Sequence, residues 1–281
     1  MKLFKTPEGI ILKDKDNYFQ IPDIDWDRLV DQDNLYHFLQ GEMRTGLTAL
    51  SSPYAESLLT AKLHAPIGKQ EIWAAGVTYF RSREARIDES KDAGGGDFYD
   101  RVYAADRPEL FFKSAATRAV GSGDLVNIRK DSTWNVPEPE LTLFLNSGGR
   151  IQGYTIGNDM SSRSIEGENP LYLPQAKTYD RCVALGPCLY IPSSPISLDT
   201  IIYLKILRND YPVFEGSIAI NQMKRGHEEL ARYLFLECSF PGGCYLMTGT
   251  GIVPPNSFTL HKGDQIQITI DAIGTLINFV S

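Results

Sequence analysis

The chain has 281 residues, with 35 acidic against 28 basic side chains and a formal net charge of −7 at pH 7. This balance argues against a nucleic-acid or anionic-membrane surface, which needs clustered Lys and Arg. No apolar run reaches the ~20 residues of a membrane span, and the first ten residues lack a signal-peptide core. We therefore expect a cytoplasmic protein that acts on a small molecule.

The N-terminal region is predicted to form a small domain over residues 1–65, followed by a main domain over residues 66–281. Two short apolar runs before residue 13 predict a hairpin, and apolar residues over 26–39 recur at helical spacing. Polar and small residues over 45–57 indicate a connecting segment.

Residues 80–106 combine a charged stretch, three consecutive glycines at 94–96 and a second short stretch with aromatic residues. The pattern is typical of a lid with a glycine hinge that closes over a small substrate. It is equally typical of a solvated insertion, and both interpretations stay open.

Alternating apolar residues dominate from residue 107 onward and predict a main domain composed mainly of β-strands. One amphipathic helix is predicted over residues 221–235, where Met223, Leu230 and Leu234 belong to an apolar stripe that faces the core.

The four cysteines occur as two pairs with a spacing of six, Cys182 with Cys188 and Cys238 with Cys244. This spacing is wider than that of zinc knuckles. Buried structural thiols are therefore predicted instead of a zinc site.

Three carboxylates are predicted to converge on one hairpin. Glu138 and Glu140 lie two residues apart in an extended run, so their side chains point to the same face. Residues 146–150 predict a turn, and the returning strand brings Asp159 back beside the glutamates. Such a cluster repels itself unless a cation neutralises it, and hard oxygen donors favour Mg²⁺, Mn²⁺ or Ca²⁺. The alternative is a solvated strand face with an ordinary Asp at the end of a hairpin.

Six further segments and the C-terminal tail accompany the carboxylate hairpin in a fixed order. They are WAAGVTY (73–79), RPELFFK (107–113), AVGSGD (119–124), LPQAKTYDRCVALGP (173–187), NQMKR (221–225), GTGIVPP (249–255) and the tail over 263–280. From about residue 72 to the C-terminus, the chain thereby resembles the fumarylacetoacetate hydrolase family.

The resemblance implies a mainly β fold, a mixed β-sandwich rolled into a barrel with a small N-terminal domain packed against it. It also implies that Glu138, Glu140 and Asp159 bind Mg²⁺, with Mn²⁺ or Ca²⁺ as alternatives. A homodimer or homotetramer is expected.

One segment departs from the hydrolase branch of the family. Hydrolases typically carry a water-activating His where this chain has Ser82, which weakens the case for hydrolysis. Glu109 and the extended segment 167–177, which ends at Lys177, instead resemble the branch of 2-keto-3-deoxy sugar acid dehydratases.

That branch implies a metal-dependent hydro-lyase that converts a 2-keto-3-deoxypentonate, such as 2-keto-3-deoxy-D-arabinonate, to 2,5-dioxopentanoate without a redox cofactor. Glu109 and Lys177 are the candidate base and acid, and the assignment between them is open. Lys177, Thr250 and Arg163 are candidate substrate contacts. Each of these residues also has a purely structural alternative: a structural ion pair for Glu109, a surface lysine for Lys177, an ordinary turn around Thr250, and a surface salt bridge for Arg163.

Two other functions stay open. The same metal and a 2-oxo acid would also suit an acylpyruvate or fumarylacetoacetate-type hydrolase or an oxaloacetate decarboxylase. A non-catalytic binding homologue is the second alternative. The configuration at C4 of the substrate is not encoded in a linear motif, because a stereocentre is recognised by the shape of a pocket.

Overall fold

The structure is a computed structural model that describes residues 1–22, 24–81 and 101–281. Its strands are β1 (Lys2–Thr6), β2 (Gly9–Asp14), β3 (Asn17–Ile21), β4 (Thr48–Leu50), β5 (Glu71–Gly76), β6 (Glu109–Ala115), β7 (Ala119–Val120), β8 (Leu125–Val126), β9 (Asn135–Val136), β10 (Pro139–Leu145), β11 (Ile151–Asp159), β12 (Ser161–Ser162), β13 (Val183–Tyr190), β14 (Ile201–Arg208), β15 (Tyr211–Ala219), β16 (Cys244–Met247), β17 (Gln265–Ile270) and β18 (Gly274–Val280). Its α-helices are α1 (Trp26–Val30), α2 (Leu35–Thr45), α3 (Ser52–Ala61), α4 (Arg163–Glu168), α5 (Leu173–Lys177) and α6 (His227–Leu234).

Most strands belong to two sheets. The larger sheet has the order β4-β3-β2-β1-β13-β11-β10-β16-β5-β6, with β7 paired to β13. The smaller sheet has the order β15-β14-β17-β18-β8, and β9 pairs separately with β12. The predicted mainly β fold is confirmed. Across the described residues the larger sheet stays open, because its end strands β4 and β6 do not pair with each other, so the strands do not close into a barrel.

Alternation along β10 explains how the two faces of the larger sheet are used. Leu141, Leu143 and Leu145 belong to a cluster shared with the apolar residues of β14 and β17 in the smaller sheet. Phe144 points to the opposite face and packs in a second cluster with residues of α1 and α2. Because side chains two apart share a face, Glu140 lies on the Phe144 side, at the end of the strand.

The N-terminal hairpin is confirmed as β1 and β2. The helical spacing over 26–39 corresponds to two helices, α1 and α2. The predicted connection over 45–57 is wrong, because β4 and the start of α3 occupy it. β1 pairs antiparallel with β13, so the N-terminal strands continue the larger sheet. The domain boundary at residue 65 stays a prediction.

Two further expectations need correction. The helix predicted over 221–235 begins only at His227, after a 3₁₀ turn over Ile220–Gln222. Cys182, Cys188 and Cys244 are buried as predicted, but Cys238 is exposed.

Most of the predicted lid, residues 82–100, lies outside the described residues. None of the helices in the described ranges is both long enough and apolar enough to cross a membrane.

Candidate active site and metal centre

The hairpin of β10 and β11 brings the three predicted carboxylates together. Glu140 stands opposite Gly157 in the ladder, and the amide of Asp159 donates to the carbonyl of Glu138 at 2.9 Å. One carboxylate oxygen from each of Glu138, Glu140 and Asp159 lies within 4.8 Å of the other two, and all three residues are buried. The alternative of a solvated strand face is therefore excluded.

Two lysines contact this cluster from inside the protein. Lys177 Nζ lies 2.6 Å from Glu138 Oε2 and 3.0 Å from Asp159 Oδ2. Lys113 Nζ lies 2.6 Å from Asp159 Oδ1 and donates to the carbonyl of Met160 at 3.0 Å. Both lysines are 0 % exposed. Lys177 is therefore part of the buried cluster and not a surface lysine.

Helix α4 adds one charge of each sign. Arg163 Nη2 donates to Glu138 Oε1 at 3.2 Å. Glu166 Oε1 accepts from Ser161 Oγ at 2.7 Å and lies 3.4 Å from Lys177 Nζ. Arg163 is buried, so the alternative of a surface salt bridge does not hold.

The charges of this cluster nearly balance. When all its carboxylates are ionised, four negative charges face three positive ones and leave one negative charge in excess. The carboxylates are Glu138, Glu140, Asp159 and Glu166, and the cations are Lys113, Arg163 and Lys177. A divalent cation would bring the cluster to one positive charge, which suits a monoanionic ligand.

Glu140 has a different environment from the other two carboxylates. Its Oε2 accepts a hydrogen bond from the backbone amide of Gly249 at 2.5 Å. The pKa of Glu140 is raised well above its usual value, mainly because burial penalises the carboxylate and also because Asp159 and Glu138 are close. The Lys177 ammonium and the Gly249 amide oppose this rise. A cation in the cluster would remove much of the cost of ionising Glu140.

Two backbone turns, one at Val77 and one at Gly249, lie beside the carboxylates. Val77 has a φ of 52°, a region that β-branched residues rarely adopt, and Gly249 has a φ of 91°. Thr78 Oγ1 donates to the carbonyl of Thr248 at 2.7 Å and ties the two turns together. A non-glycine residue at such a φ costs about 1–3 kcal/mol and persists only where the surrounding packing enforces it.

The carboxylates and these turns surround a small cavity of about 20 Å³. It is lined by Ala75, Gly76, Val77, Phe111, Glu138, Glu140, Asp159, Arg163, Lys177, Gly249 and Thr250. All three predicted substrate contacts, Lys177, Thr250 and Arg163, therefore line the cavity that holds the carboxylates.

Glu109 lies beside this cavity. It stands opposite Gly76 in the pairing of β5 with β6. A Cβ placed on Gly76 would lie 2.1 Å from Glu109 Oε2, so the carboxylate rests directly on the glycine that lines the cavity. Glu109 is half-buried. Ser82, which replaces the histidine of the hydrolases, lies outside the described residues.

Sequence reasoning missed Lys113, Glu166 and the amide of Gly249. Lys113 follows Glu109 by four residues, and strict alternation would have predicted a shared face, although an irregularity at Lys113 interrupts the pairing of β6 with β5. Glu166 follows Arg163 by three residues, a spacing that puts both on one face of a helix. The role of the Gly249 amide has no sequence signal, because it depends on a contact between distant segments.

The donor set fits a hard divalent cation. Three carboxylates converge within the distance that one ion can bridge, without a thiolate or imidazole among them. Oxygen-only ligands of this kind are those that Mg²⁺ binds in proteins.

Comparisons with known proteins agree with this geometry. Residues 72–281 match the family described as Fumarylacetoacetate (FAA) hydrolase C-terminal. The chain is 47% identical over 219 residues to a probable 2-keto-3-deoxyxylonate dehydratase of Haloferax volcanii, with 77% of this chain and 74% of the relative covered. It is 42% identical over 241 residues to the 2-dehydro-3-deoxy-D-arabinonate dehydratase of Saccharolobus solfataricus, with 84% and 80% covered.

A solved structure of 2-keto-3-deoxy-D-arabinonate dehydratase, complexed with magnesium and 2,5-dioxopentanoate, has the same fold. It superposes with a TM-score of 0.84 at 35% identity and covers 100% of this chain and 99% of its own.

Proposed function

The chain belongs to the fumarylacetoacetate hydrolase family, and we propose that it is a Mg²⁺-dependent dehydratase that removes water from a 2-keto-3-deoxypentonate to give 2,5-dioxopentanoate. One observation carries the proposal: a buried cavity holds three convergent carboxylates with Lys177 among them and Glu109 at its side. The two dehydratase relatives and the product complex support the same reaction.

Glu138, Glu140 and Asp159 would hold the ion. When bound, Mg²⁺ would act as a Lewis acid toward the 2-oxo acid and make its C3 proton easier to remove. The site with a divalent cation carries one positive charge, and a 2-keto-3-deoxypentonate carries one negative charge. This cluster therefore attracts the substrate anion, while the Glu109 carboxylate lies beside the cavity and outside this count.

Lys177 is assigned to the negative charge that develops on the substrate. Its ammonium donates to carboxylate oxygens, so in this arrangement it is a donor and not a proton acceptor. A fixed positive charge beside the forming enolate lowers the barrier to removal of the C3 proton. Arg163 and Thr250 line the same cavity and are assigned to substrate orientation.

Glu109 is assigned to proton transfer. Its carboxylate takes the proton from C3 and, as a carboxylic acid, returns it to the C4 hydroxyl, which leaves as water. Proton shifts along C3 to C5 then convert the unsaturated 5-hydroxy product into the C5 aldehyde. The net change is the loss of one water, so no oxidant or reductant is needed.

The test is aldehyde formation from both C4 epimers of 2-keto-3-deoxypentonate, with Mg²⁺ or with EDTA. Wild type is compared with Glu140→Ala and with Glu168→Ala, which removes an exposed carboxylate of α4. We expect Mg²⁺-dependent formation of 2,5-dioxopentanoate by wild type and Glu168→Ala but not by Glu140→Ala. The preferred epimer identifies the sugar acid.

Absence of product from both epimers, with folded protein that binds Mg²⁺, would refute the substrate assignment. Acylpyruvates and oxaloacetate are then the substrates to test, and lack of turnover with all of them would favour a binding homologue.

The proposal extends to the state of the protein in the cell. We expect a homodimer or homotetramer in the cytoplasm, since closed symmetric assemblies are the commonest form of such enzymes. Light scattering after size-exclusion chromatography measures the assembly directly, and a monomer at micromolar concentration would contradict it.

A further inference from the structure

Glu166 contacts Lys177 but lies outside the set of candidate metal ligands. Lys177 Nζ has carboxylate oxygens from Glu138, Asp159 and Glu166 at 2.6, 3.0 and 3.4 Å. The first two residues belong to the triad, and Glu166 does not. Glu166 is 2 % exposed, so water does not weaken its attraction to the lysine.

A divalent cation would change these three contacts unequally. Two positive charges among the triad would attract the oxygens of Glu138 and Asp159 and would repel the ammonium of Lys177. Both effects weaken the contacts that Lys177 makes with the triad. The contact with Glu166 is the one that would gain in relative importance, because this carboxylate is not needed for the ion.

Glu166 is itself held in a fixed position. Ser161 Oγ donates to Glu166 Oε1 at 2.7 Å. The amide of Arg163 donates to the carbonyl of Trp134 at 2.8 Å and anchors the start of α4. The side chain of Arg163, one turn before Glu166, bonds to Glu138. Helix α4 thus attaches to the cluster through both of its buried charges.

We propose that Glu166 is a positioning residue that keeps the ammonium of Lys177 at the edge of the loaded site, where it can meet the substrate. The proposal rests on the function proposed above, because it assigns Lys177 to the substrate. Glu166 itself need not touch substrate or metal.

The test is a double-mutant cycle of Glu166→Gln, Lys177→Met and the combined variant. Gln has the shape of Glu and can still accept from Ser161, so the change removes mainly the charge. Four quantities are measured: Mg²⁺ affinity by calorimetry, 2-oxopentanoate affinity of the Mg²⁺-loaded protein, and kcat and KM for aldehyde formation.

We expect Glu166→Gln to lower kcat about 10- to 100-fold, the usual range for a residue that orients a group at a metal site. Its Mg²⁺ dissociation constant should stay within about threefold of wild type. Addition of Glu166→Gln to Lys177→Met should cause no further loss of 2-oxopentanoate affinity or of kcat, because residues that act through one another are not additive. Glu168→Gln, an exposed carboxylate of the same helix, should behave as wild type.

Losses that multiply in the combined variant would show that Glu166 acts independently of Lys177 and would overturn the proposal. So would a Mg²⁺ affinity that falls by the same factor as kcat/KM, or unchanged binding and kcat in Glu166→Gln. If Glu166→Gln does not fold, Ser161→Ala is used in the same cycle and should show smaller losses in the same direction. If wild type forms no aldehyde, the proposed function fails, while the cycle on 2-oxopentanoate binding still tests the link between Glu166 and Lys177.

Discussion

Glu140 accepts a hydrogen bond from the amide of Gly249, a residue 109 positions away in sequence, at 2.5 Å. Gly249 itself adopts a φ of 91°. A Cβ there would lie 2.1 Å from Thr78 Oγ1 and 2.9 Å from the carbonyl oxygen of Ala75. The geometry of one candidate metal ligand thus depends on a position that only glycine fits.

Gly249→Ala is therefore expected to damage the site as well as the fold. Gly263 is a matched control, since it has a φ of 88° but no atom within 4 Å of an added Cβ. Gly263→Ala should cost about 1–2 kcal/mol of unfolding free energy from the backbone conformation alone, with Mg²⁺ affinity unchanged.

Gly249→Ala should cost clearly more, because backbone and hydroxyl atoms must move, and it should weaken Mg²⁺ binding at least about tenfold. Chemical denaturation and calorimetry measure both quantities. Equal behaviour of the two variants would mean that the close packing at Gly249 is unimportant for Glu140.

The raised pKa of Glu140 gives stability a defined pH dependence. A carboxyl whose pKa is higher in the folded state than its usual 4.5 favours folding in its protonated form. That contribution is fully present below pH 4.5 and is lost as the pH rises to the raised pKa. Mg²⁺ requires the ionised form, so its binding competes with the proton and gains strength with pH.

We therefore expect Mg²⁺ to raise the Tm more at about pH 8 than at about pH 5, whereas protein in EDTA should lose stability over the same interval. Glu140→Gln removes the titrating group and should flatten both trends. A Mg²⁺ effect on Tm that is larger at the lower pH would contradict this linkage.

Local patterns explain which parts of the site were predictable. The two-residue spacing of Glu138 and Glu140, and the hairpin that returns Asp159, depend only on strand geometry and a short turn. The same rules would place Lys113 on the face of Glu109, but which carboxylate it contacts is decided by the packing of β6 against other segments. The alternation of strand residues and the turn signal therefore predicted the triad of Glu138, Glu140 and Asp159. They did not predict which cations neutralise it.

The errors in secondary structure have a tertiary cause. The helix predicted from residue 221 starts later because the preceding segment makes contacts elsewhere: the amide of Lys224 donates to the carbonyl of Thr78, and Tyr79 bridges to Met223. The connection predicted over 45–57 contains β4, which is stabilised by pairing with β3. Such pairings stabilise a strand even where its residues have no strong intrinsic preference for one.

Lys177→Met should separate catalysis from metal binding. The variant removes the ammonium that lies between Glu138 and Asp159, so the triad becomes more negative and should bind Mg²⁺ more tightly than wild type. Aldehyde formation should nevertheless fall by about 10²–10⁴-fold. In EDTA the loss of one partner from a buried ion pair should cost about 3–5 kcal/mol, and saturating Mg²⁺ should restore much of it.

The control for this variant is Lys205→Met, which removes a half-exposed lysine paired with Glu215 on the smaller sheet. Such surface pairs contribute at most about 1 kcal/mol, and neither Mg²⁺ affinity nor activity should change. Weaker Mg²⁺ binding by Lys177→Met would mean that the lysine supports the metal site instead of competing with the ion.

Glu109→Gln tests which residue moves the proton. 2-Oxopentanoate lacks the C4 hydroxyl, so it can exchange its C3 protons with solvent but cannot lose water. If Glu109 is both the base at C3 and the acid at C4, Glu109→Gln should slow C3 deuterium exchange and dehydration alike, by about 10²–10⁴-fold. The Mg²⁺ affinity of the variant should stay within about threefold of wild type. Proton NMR in D₂O follows exchange, and an aldehyde assay follows dehydration. Exchange that persists while dehydration is lost would restrict Glu109 to the acid step and would reassign the base to another residue.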